Sequence, residues 1–413
     1  MAKLGDQELR PADIGARVRR IRRRRGLSLE AAAGLAGISK AYLSQLENGH
    51  KRFERRSLID RLAEALGCSV IDLTGEPYGP VDHISAAAMT TIPAIQLALH
   101  DCALDDAPDV SCRPVKELSD AVHRRMAAYM DECRYDRAGQ DLGQLLTELH
   151  ATAVHGAGDA KRSALELLVE GCVVAFGVTK NLGHPELALS AARRGYDAAV
   201  QAEKPALIGW ASQRQAQALQ RVGAHRRAAG ILADALDETD RLADPRAEST
   251  DVAEASGLLH LTAAMNAARF GDADQAHAHL DHATELAANT GERNGLGQHF
   301  GPANVAVWRV SIGVELNEAA GVYEHAAKAK ADFDALGSAD RIGMFHIDLA
   351  RALAQEGGGR DGDAVRHLDQ ADRIAHLRIR FDPIARELLA KLDNRARTRT
   401  WELDSLRHRF GLN

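Results

Sequence analysis

The chain has 413 residues, 45% of them hydrophobic, 27% charged and only 4% aromatic, which gives room for two or three domains of helical rather than sandwich-like character. Residues 1–75 carry 15 Lys and Arg against 9 Asp and Glu, and the remainder carries 37 against 49, so a basic head precedes an acidic body and only the head invites a polyanion. No run of 18 apolar residues exists, the basic N-terminus leads into no apolar stretch, and the five cysteines lack CxxC spacing; from these features no transmembrane helix, signal peptide, disulfide framework or four-cysteine zinc site is expected, and a reducing cytosol fits.

Between Ala12 and Thr74 the pattern predicts five short helices and no strand. Gly26 ends the first, Ser28 caps the second, Gly37 ends it, and Ser39 caps the third. Asn48-Gly49 closes the third, Ser57 with Asp60 reads as a capping box for the fourth, Gly67 terminates it, and Val70, Ile71 and Leu73 belong to a fifth. On the third helix Leu43 and Leu46 face inward, and Ala41, Ser44, Gln45 and Asn48 form the opposite face. That outer face is polar and short-chained, so it can approach base edges. Lys40 suits guanine and Gln45 adenine in the major groove, Ala41 can meet a thymine methyl, and Ser44 can contact base or phosphate. Arg17, Arg20, Arg24, Ser39, Lys51 and Arg52 are the candidates for phosphate, which gives affinity and register without sequence information.

The run GLSLEAAAGLAGISKAYLSQLENG, Gly26 to Gly49, resembles the helix-turn-helix of the phage-repressor (XRE) family, with small Ala33, Gly37 in the turn and Ile38 behind it. The resemblance implies a lambda-repressor-like five-helix domain over residues 12–74 that binds double-stranded DNA and regulates transcription. It also implies that Glu47 is a structural acid paired with an arginine such as Arg24. The family often has Gln after the capping Ser of the second helix; Leu29 stands there in this chain, so that phosphate contact is not expected. Such motifs bind as dimers on half-sites about one helical turn apart.

Residues 75–93, with TGEPYGP and TTIP, read as a linker. From residue 94 to 413 the pattern is helical, Ala-rich and self-similar. Ala188, Ala228, Ala276, Val322 and Ala364 serve as anchors. Five residues before them stand Gly183, Gly223, Gly271, Asn317 and Gly359; four after stand Ala192, Leu232, Leu280, Ala326 and Leu368; seven after stand Gly195, Ala235, Ala283, Ala329 and Ala371. A weaker sixth copy centres on Ala138, with Cys133 at the Gly position. Gly or Asn permits the left-handed residue that ends one helix, and the small anchor lets the next helix approach closely. One hairpin cannot bury its own stripe, so copies stack into a solenoid. This pattern resembles tetratricopeptide repeats with long, irregular linkers.

A helix-turn-helix joined to such repeats resembles peptide-sensing regulators of Gram-positive bacteria and a set of actinobacterial regulators that share the look of FGPANVAVWRV, Phe300 to Val310. The resemblance implies an all-α chain whose repeat domain senses a peptide or small-molecule effector and forms the homodimer. Trp210, Gln213, Gln217, Asn304, Trp308 and Ser311 lie on corresponding stripes of first helices, where amides can clamp an extended backbone and Trp can anchor it. The alternative is a repeat domain that binds a protein partner and no diffusible ligand. An enzyme is not expected: HExxH, GxSxG, the phosphate-binding P-loop and the kinase motifs are missing, and Gly357-Gly358-Gly359 follows a helix instead of a strand. His277, His279 and His282 have no metal-ligand spacing, and no cofactor is expected. Trp401 and Phe410 read as a cap over the last repeat.

Overall fold

The computed structural model describes residues 14–244, 249–318, 322, 325–328, 332–356, 358–398 and 400–412. Residues 12 and 13 of the expected first domain, Ala329 and Gly357 lie outside them. The described residues are all-α, with one isolated bridge between Arg293 and Phe300. The chain forms two compact units, Met1–Pro77 and Tyr78–Asn413.

The first unit holds α1 (Ile14–Arg24), α2 (Leu29–Leu35), α3 (Lys40–Glu47), α4 (Arg56–Leu66) and α5 (Val70–Thr74). Ser28 accepts from Ala31 N–H and Ser39 from Tyr42 N–H, each at the start of its helix, which satisfies donors that a helix cannot pair internally. Gly26, Gly37, Gly49, Gly67 and Gly75 all sit at positive φ, where a Cβ would be strained. The Ser57 capping box does not form. Helix α4 begins two residues earlier, after Arg55, with no side-chain cap, and Ser57 lies within its first turn. A core of Ile14, Val18, Leu43, Leu46, Phe53, Ile59, Leu62 and Leu73 is fully or almost fully buried.

The second unit begins earlier than the linker reading placed it. Residues 75–93 include α6 (His83–Thr90), where Asp82 and Ser85 make a reciprocal cap and Ala88 is buried, and Ile92, which starts α7 (Ile92–Asp101) and joins the main core. Then follow α8 (Val115–Met130), α9 (Tyr135–Gly139) and α10 (Leu142–His155). The hairpins are α11 (Gly158–Asn181) with α12 (Pro185–Ala202), α13 (Pro205–Arg221) with α14 (His225–Leu242), and α15 (Asp251–Phe270) with α16 (Ala273–Thr290). Beyond them lie α17 (Pro302–Leu316), α18 (Phe333–Leu336), α19 (Ala339–Glu356) paired with α20 (Asp361–Arg380), α21 (Pro383–Arg395) and α22 (Trp401–Arg409). First helices α11, α13, α15, α17 and α19 contact one another in succession and form one layer; α12, α14, α16 and α20 lie against them.

The repeat anchors behave as their spacing predicts. Ala138, Ala188, Ala228, Ala276, Val322 and Ala364 are buried, with Leu232, Leu280 and Leu368 on the same stripes. Gly183, Gly223, Gly271 and Asn317 adopt positive φ, and so does Cys133 in the weaker copy. The fifth turn differs: Gly359 lies in a short 3-10 segment, Gly358–Arg360, and lacks the left-handed conformation. The terminal cap is half of what the sequence suggested, because Phe410 is buried whereas Trp401 is 70% exposed.

Helix α8 ties the two ends of the inner layer together. The Tyr129 ring occupies the space a Cβ on Gly177 of α11 would take. At the other end Ser338 Oγ donates to Met130 O at 2.9 Å, and Ala339 N–H donates to Asp131 O at 3.0 Å. The FGPAN segment closes the same region: the Phe300 ring fills the place of a Cβ on Gly257, and Pro302 opens α17.

Gly223 has φ of +83° and no atom within 4 Å of an added Cβ, so Gly223→Ala introduces backbone strain without a clash. It should destabilise the second unit by about 1–2 kcal/mol, read as a lower urea midpoint at unchanged slope.

Candidate nucleic-acid interface and interior polar site

Helix α3 is held from behind by a buried ion pair. Arg22 Nε and Nη2 donate to the two Glu47 carboxylate oxygens at 2.5 and 2.7 Å, and Arg22 Nη1 donates to Leu27 O at 2.8 Å. Both side chains are almost fully buried, and the carboxylate bond holds the guanidinium above its ordinary pKa. The partner of Glu47 is therefore Arg22, and not Arg24, which is exposed. The reason is helical register: Ile14, Val18 and Arg22 are spaced by four and share the inward face of α1.

With that back face fixed, Lys40, Ala41 and Gln45 are exposed on the opposite side of α3. Ser44 is half-buried, with Oγ 3.4 Å from Asn48 Nδ2. Ser39 is exposed and its hydroxyl caps α3. Lys40 Nζ lies 3.5 Å from Glu30 Oε2, but both groups are largely in solvent, where such a pair is weak and exchangeable. Arg20, Arg24 and Lys51 are exposed, and the Lys51 ammonium sits 5.5 Å from the Tyr42 ring centroid. Arg52 is half-buried. Arg17 is engaged within the unit, donating to Thr74 O at 2.8 Å and lying where a Cβ on Gly75 would stand. Arg19, which the sequence reading missed, reaches Asn48 Oδ1 at 3.2 Å, beside the end of α3. Its one-residue offset from the phosphate candidate Arg20 gave no separate signal.

The interior stripe is more buried than expected for a set of free amide clamps. Trp210 and Gln213 are each 1% exposed and Asn304 is fully buried. Gln213 Nε2 donates to Leu258 O and Thr262 Oγ1 at 3.0 Å each, and Gln217 Nε2 approaches the same hydroxyl at 3.4 Å. Asn304 Nδ2 donates to Gln298 O at 3.1 Å, and Ser311 Oγ donates to Asp348. The donors of these amides thus join α13 to α15 and hold the loop before α17. Gln213 Oε1, Asn304 Oδ1 and the indole nitrogens of Trp210 and Trp308 have no protein partner. Trp210 also lines a cavity of about 410 Å³ shared with Met126 of α8 and Leu296. The structure brings Trp210, Gln213 and Gln217 together on α13, and Trp308 and Ser311 on α17 against α19.

Around this stripe lie cations that the sequence did not group. Lys180 of α11 is half-buried, and burial pulls its ammonium down to about 7, helped by neighbouring arginines. His260 is a different case: its Nδ1 is 2.9 Å from His279 Nδ1, and its ring stacks on His282. Among the described residues no group of three or more His, Cys, Asp or Glu could hold a metal ion, and no helix is long and apolar enough to cross a membrane.

Residues 13–74 match the helix-turn-helix domain family. The N-terminal unit is a helix-turn-helix DNA-binding domain. No curated protein matches the chain in sequence. Among solved structures, the apo competence regulator ComR from Streptococcus vestibularis aligns at 11% identity over 90% of this chain and 96% of its own, with a TM-score of 0.34. ComR from S. thermophilus aligns at 10% identity over 92% and 97%, with a TM-score of 0.34. PlcR from Bacillus thuringiensis, solved with the peptide PapR7 and DNA, aligns at 11% identity over 67% and 94%, with a TM-score of 0.26. All three superpose loosely.

Two outcomes follow from this geometry. Arg22→Ala leaves Glu47 as an uncompensated buried charge and should cost about 3–5 kcal/mol, whereas Arg24→Ala should change stability by less than about 0.5 kcal/mol; chemical denaturation of the first unit's transition measures both. Lys180 has a folded pKa below its unfolded value, so the unfolded chain binds more protons between about pH 7 and the ordinary lysine range, and wild-type stability rises with pH across that window. Lys180→Met should therefore melt above wild type below pH 7, with the difference narrowing as pH rises.

Proposed function

We propose that this chain is a sequence-specific transcription regulator of the XRE type that works in the cytoplasm as a homodimer. Helix α3 enters the major groove. Lys40, Ala41, Ser44 and Gln45 meet base edges there, and Arg20, Arg24, Ser39, Lys51 and Arg52 meet the flanking phosphates, joined by Arg19. Arg17 contributes less, since its guanidinium already closes the end of α5. The single observation that carries this reading is the two-sidedness of α3. Its inner face is pinned by the buried Arg22–Glu47 pair, while Lys40, Ala41 and Gln45 remain exposed in a unit that matches a helix-turn-helix domain.

The second unit, Tyr78–Asn413, is the sensing and dimerising part in this reading, with a peptide or small molecule as effector. Support comes from the unpartnered buried polar atoms at Trp210, Gln213, Asn304 and Trp308; buried polar groups are ordinarily paired, and a ligand can pair them. The effector acts by binding one arrangement of the repeats better than another.

The test is fluorescence anisotropy with a duplex selected by the full chain from a random pool. Gln45→Ala should relax selectivity at one base position, with a cost of about 1–3 kcal/mol on the preferred site. Arg24→Ala should weaken all duplexes alike and reduce the salt slope by about one. Equal loss on every sequence in both variants would overturn the assigned roles. A mass equal to one chain at concentrations that still bind the duplex would overturn the dimer.

A further inference from the structure

The inner layer of the second unit contains more positive charge than its own carboxylates match. Lys180 of α11 and Arg214 of α13 both lie over the Phe176 ring, with Nζ at 5.0 Å and the guanidinium carbon at 5.7 Å from its centroid. Arg341 of α19 lies 5.3 Å from the Trp308 ring centroid on α17. Arg378 of α20 completes the group. Asp340 pairs with Arg341 at 2.8 Å and with Arg378 at 3.3 Å, and Asp382 pairs with Arg378 at 3.2 Å. Among the described residues these four cations face two carboxylates, and neither Lys180 nor Arg214 touches one.

Arg214 is 4% exposed. Its Nη1 donates to Gln217 Oε1 at 2.8 Å, but Nε and Nη2 have no acceptor in the protein. The Nε of Arg341 and the indole N–H of Trp308 are likewise buried without an acceptor. These four donors and two surplus charges belong to one cluster: Lys180, Arg214, Arg341 and Arg378 all act on Asp340, and Trp308 lies beside Arg341. Keeping a cation buried and unmatched is strongly unfavourable, and the chain registers that cost by lowering Lys180 to about 7 and Arg214 to about 10. Lys180, Arg341 and Trp308 are only half-buried, so the cluster has an edge in solvent.

We propose that this cluster binds the phosphate dianion of a phosphate-bearing molecule, with Arg214 as the principal contact and Lys180, Arg341 and the Trp308 indole around it. Charge selects the class. A phosphate monoester carries close to two negative charges and three acceptor oxygens, which matches two surplus cations and four unpartnered donors, whereas one carboxylate leaves a cation unmatched. The guanidinium fork also suits two adjacent oxygens. The proposal rests on the sensor reading above and narrows its effector to a phosphate-bearing one.

The experiment uses the full chain with inorganic phosphate and with glycerol 3-phosphate, against acetate and chloride at equal ionic strength, read by calorimetry and by melting temperature. Both phosphates should bind saturably and raise the melting temperature; acetate and chloride should not. Tighter binding of glycerol 3-phosphate assigns the site to a phosphorylated metabolite, and equal binding assigns it to free phosphate. Arg214→Met should weaken binding at least tenfold while melting no lower than wild type without ligand, because it removes an unmatched buried charge. Lys180→Met should weaken it similarly, and Arg162→Met, an exposed cation at the start of α11, should leave it unchanged. Phosphate binding that survives both Arg214→Met and Lys180→Met, or acetate that binds as well as phosphate, overturns the proposal. Phosphate binding that leaves DNA affinity unchanged keeps the anion site and overturns its role as a sensor; a wild-type chain that binds DNA but not phosphate overturns only the anion site.

Discussion

One guanidinium organises the DNA-binding domain. Arg22 reaches from α1 to the last turn of α3 through Glu47 and closes the turn after α1 through Leu27 O. A buried ion pair of this kind contributes little net stability relative to apolar residues of the same size. Its effect here is geometric. Both oxygens of Glu47 are taken, so the rotation of α3 about its axis is set, and the face carrying Ala41 and Gln45 is the one left in solvent. A hydrophobic contact alone, such as Leu43 and Leu46 against the core, is non-directional and would leave that rotation less defined.

The second unit uses a different economy. Its hairpins close through left-handed residues and approach through small ones, so backbone conformation and side-chain size carry most of the specification. That leaves long inner helices free to hold polar groups. The amides of Gln213 and Gln217 use the opportunity to join α13 to α15, and the arginines of α13, α19 and α20 surround a single shared carboxylate, Asp340. Polar interiors of this kind are stable only when satisfied, which is why the unpaired donors of Arg214, Arg341 and Trp308 stand apart from ordinary core packing.

Much of this was legible in the sequence, for physical reasons that can be named. Turn glycines and capping serines act within a few residues, so Ser28, Ser39, Gly37 and Gly67 were readable directly. The repeat anchors were readable because each repeat solves the same packing problem, and even Cys133 takes the left-handed conformation of its glycine counterparts. The Arg22–Glu47 pair was present as a signal, since Arg22 continues the Ile14, Val18 stripe, but the family resemblance pointed to a neighbour. Ser57 shows the limit of a local motif: Arg56 continues α4 backward and removes the cap position. The cationic cluster was not legible, because Lys180, Arg214, Arg341 and Arg378 come from four helices spread over about half the chain, and no periodicity links them.

The central claim is that the outer face of α3 is the surface that meets DNA. Hydrogen exchange of the full chain with and without a selected duplex tests it directly. Exchange should slow over residues 39–52, with α4 unchanged. Unaltered exchange over α3, with protection confined to α4 or to the second unit, would contradict it.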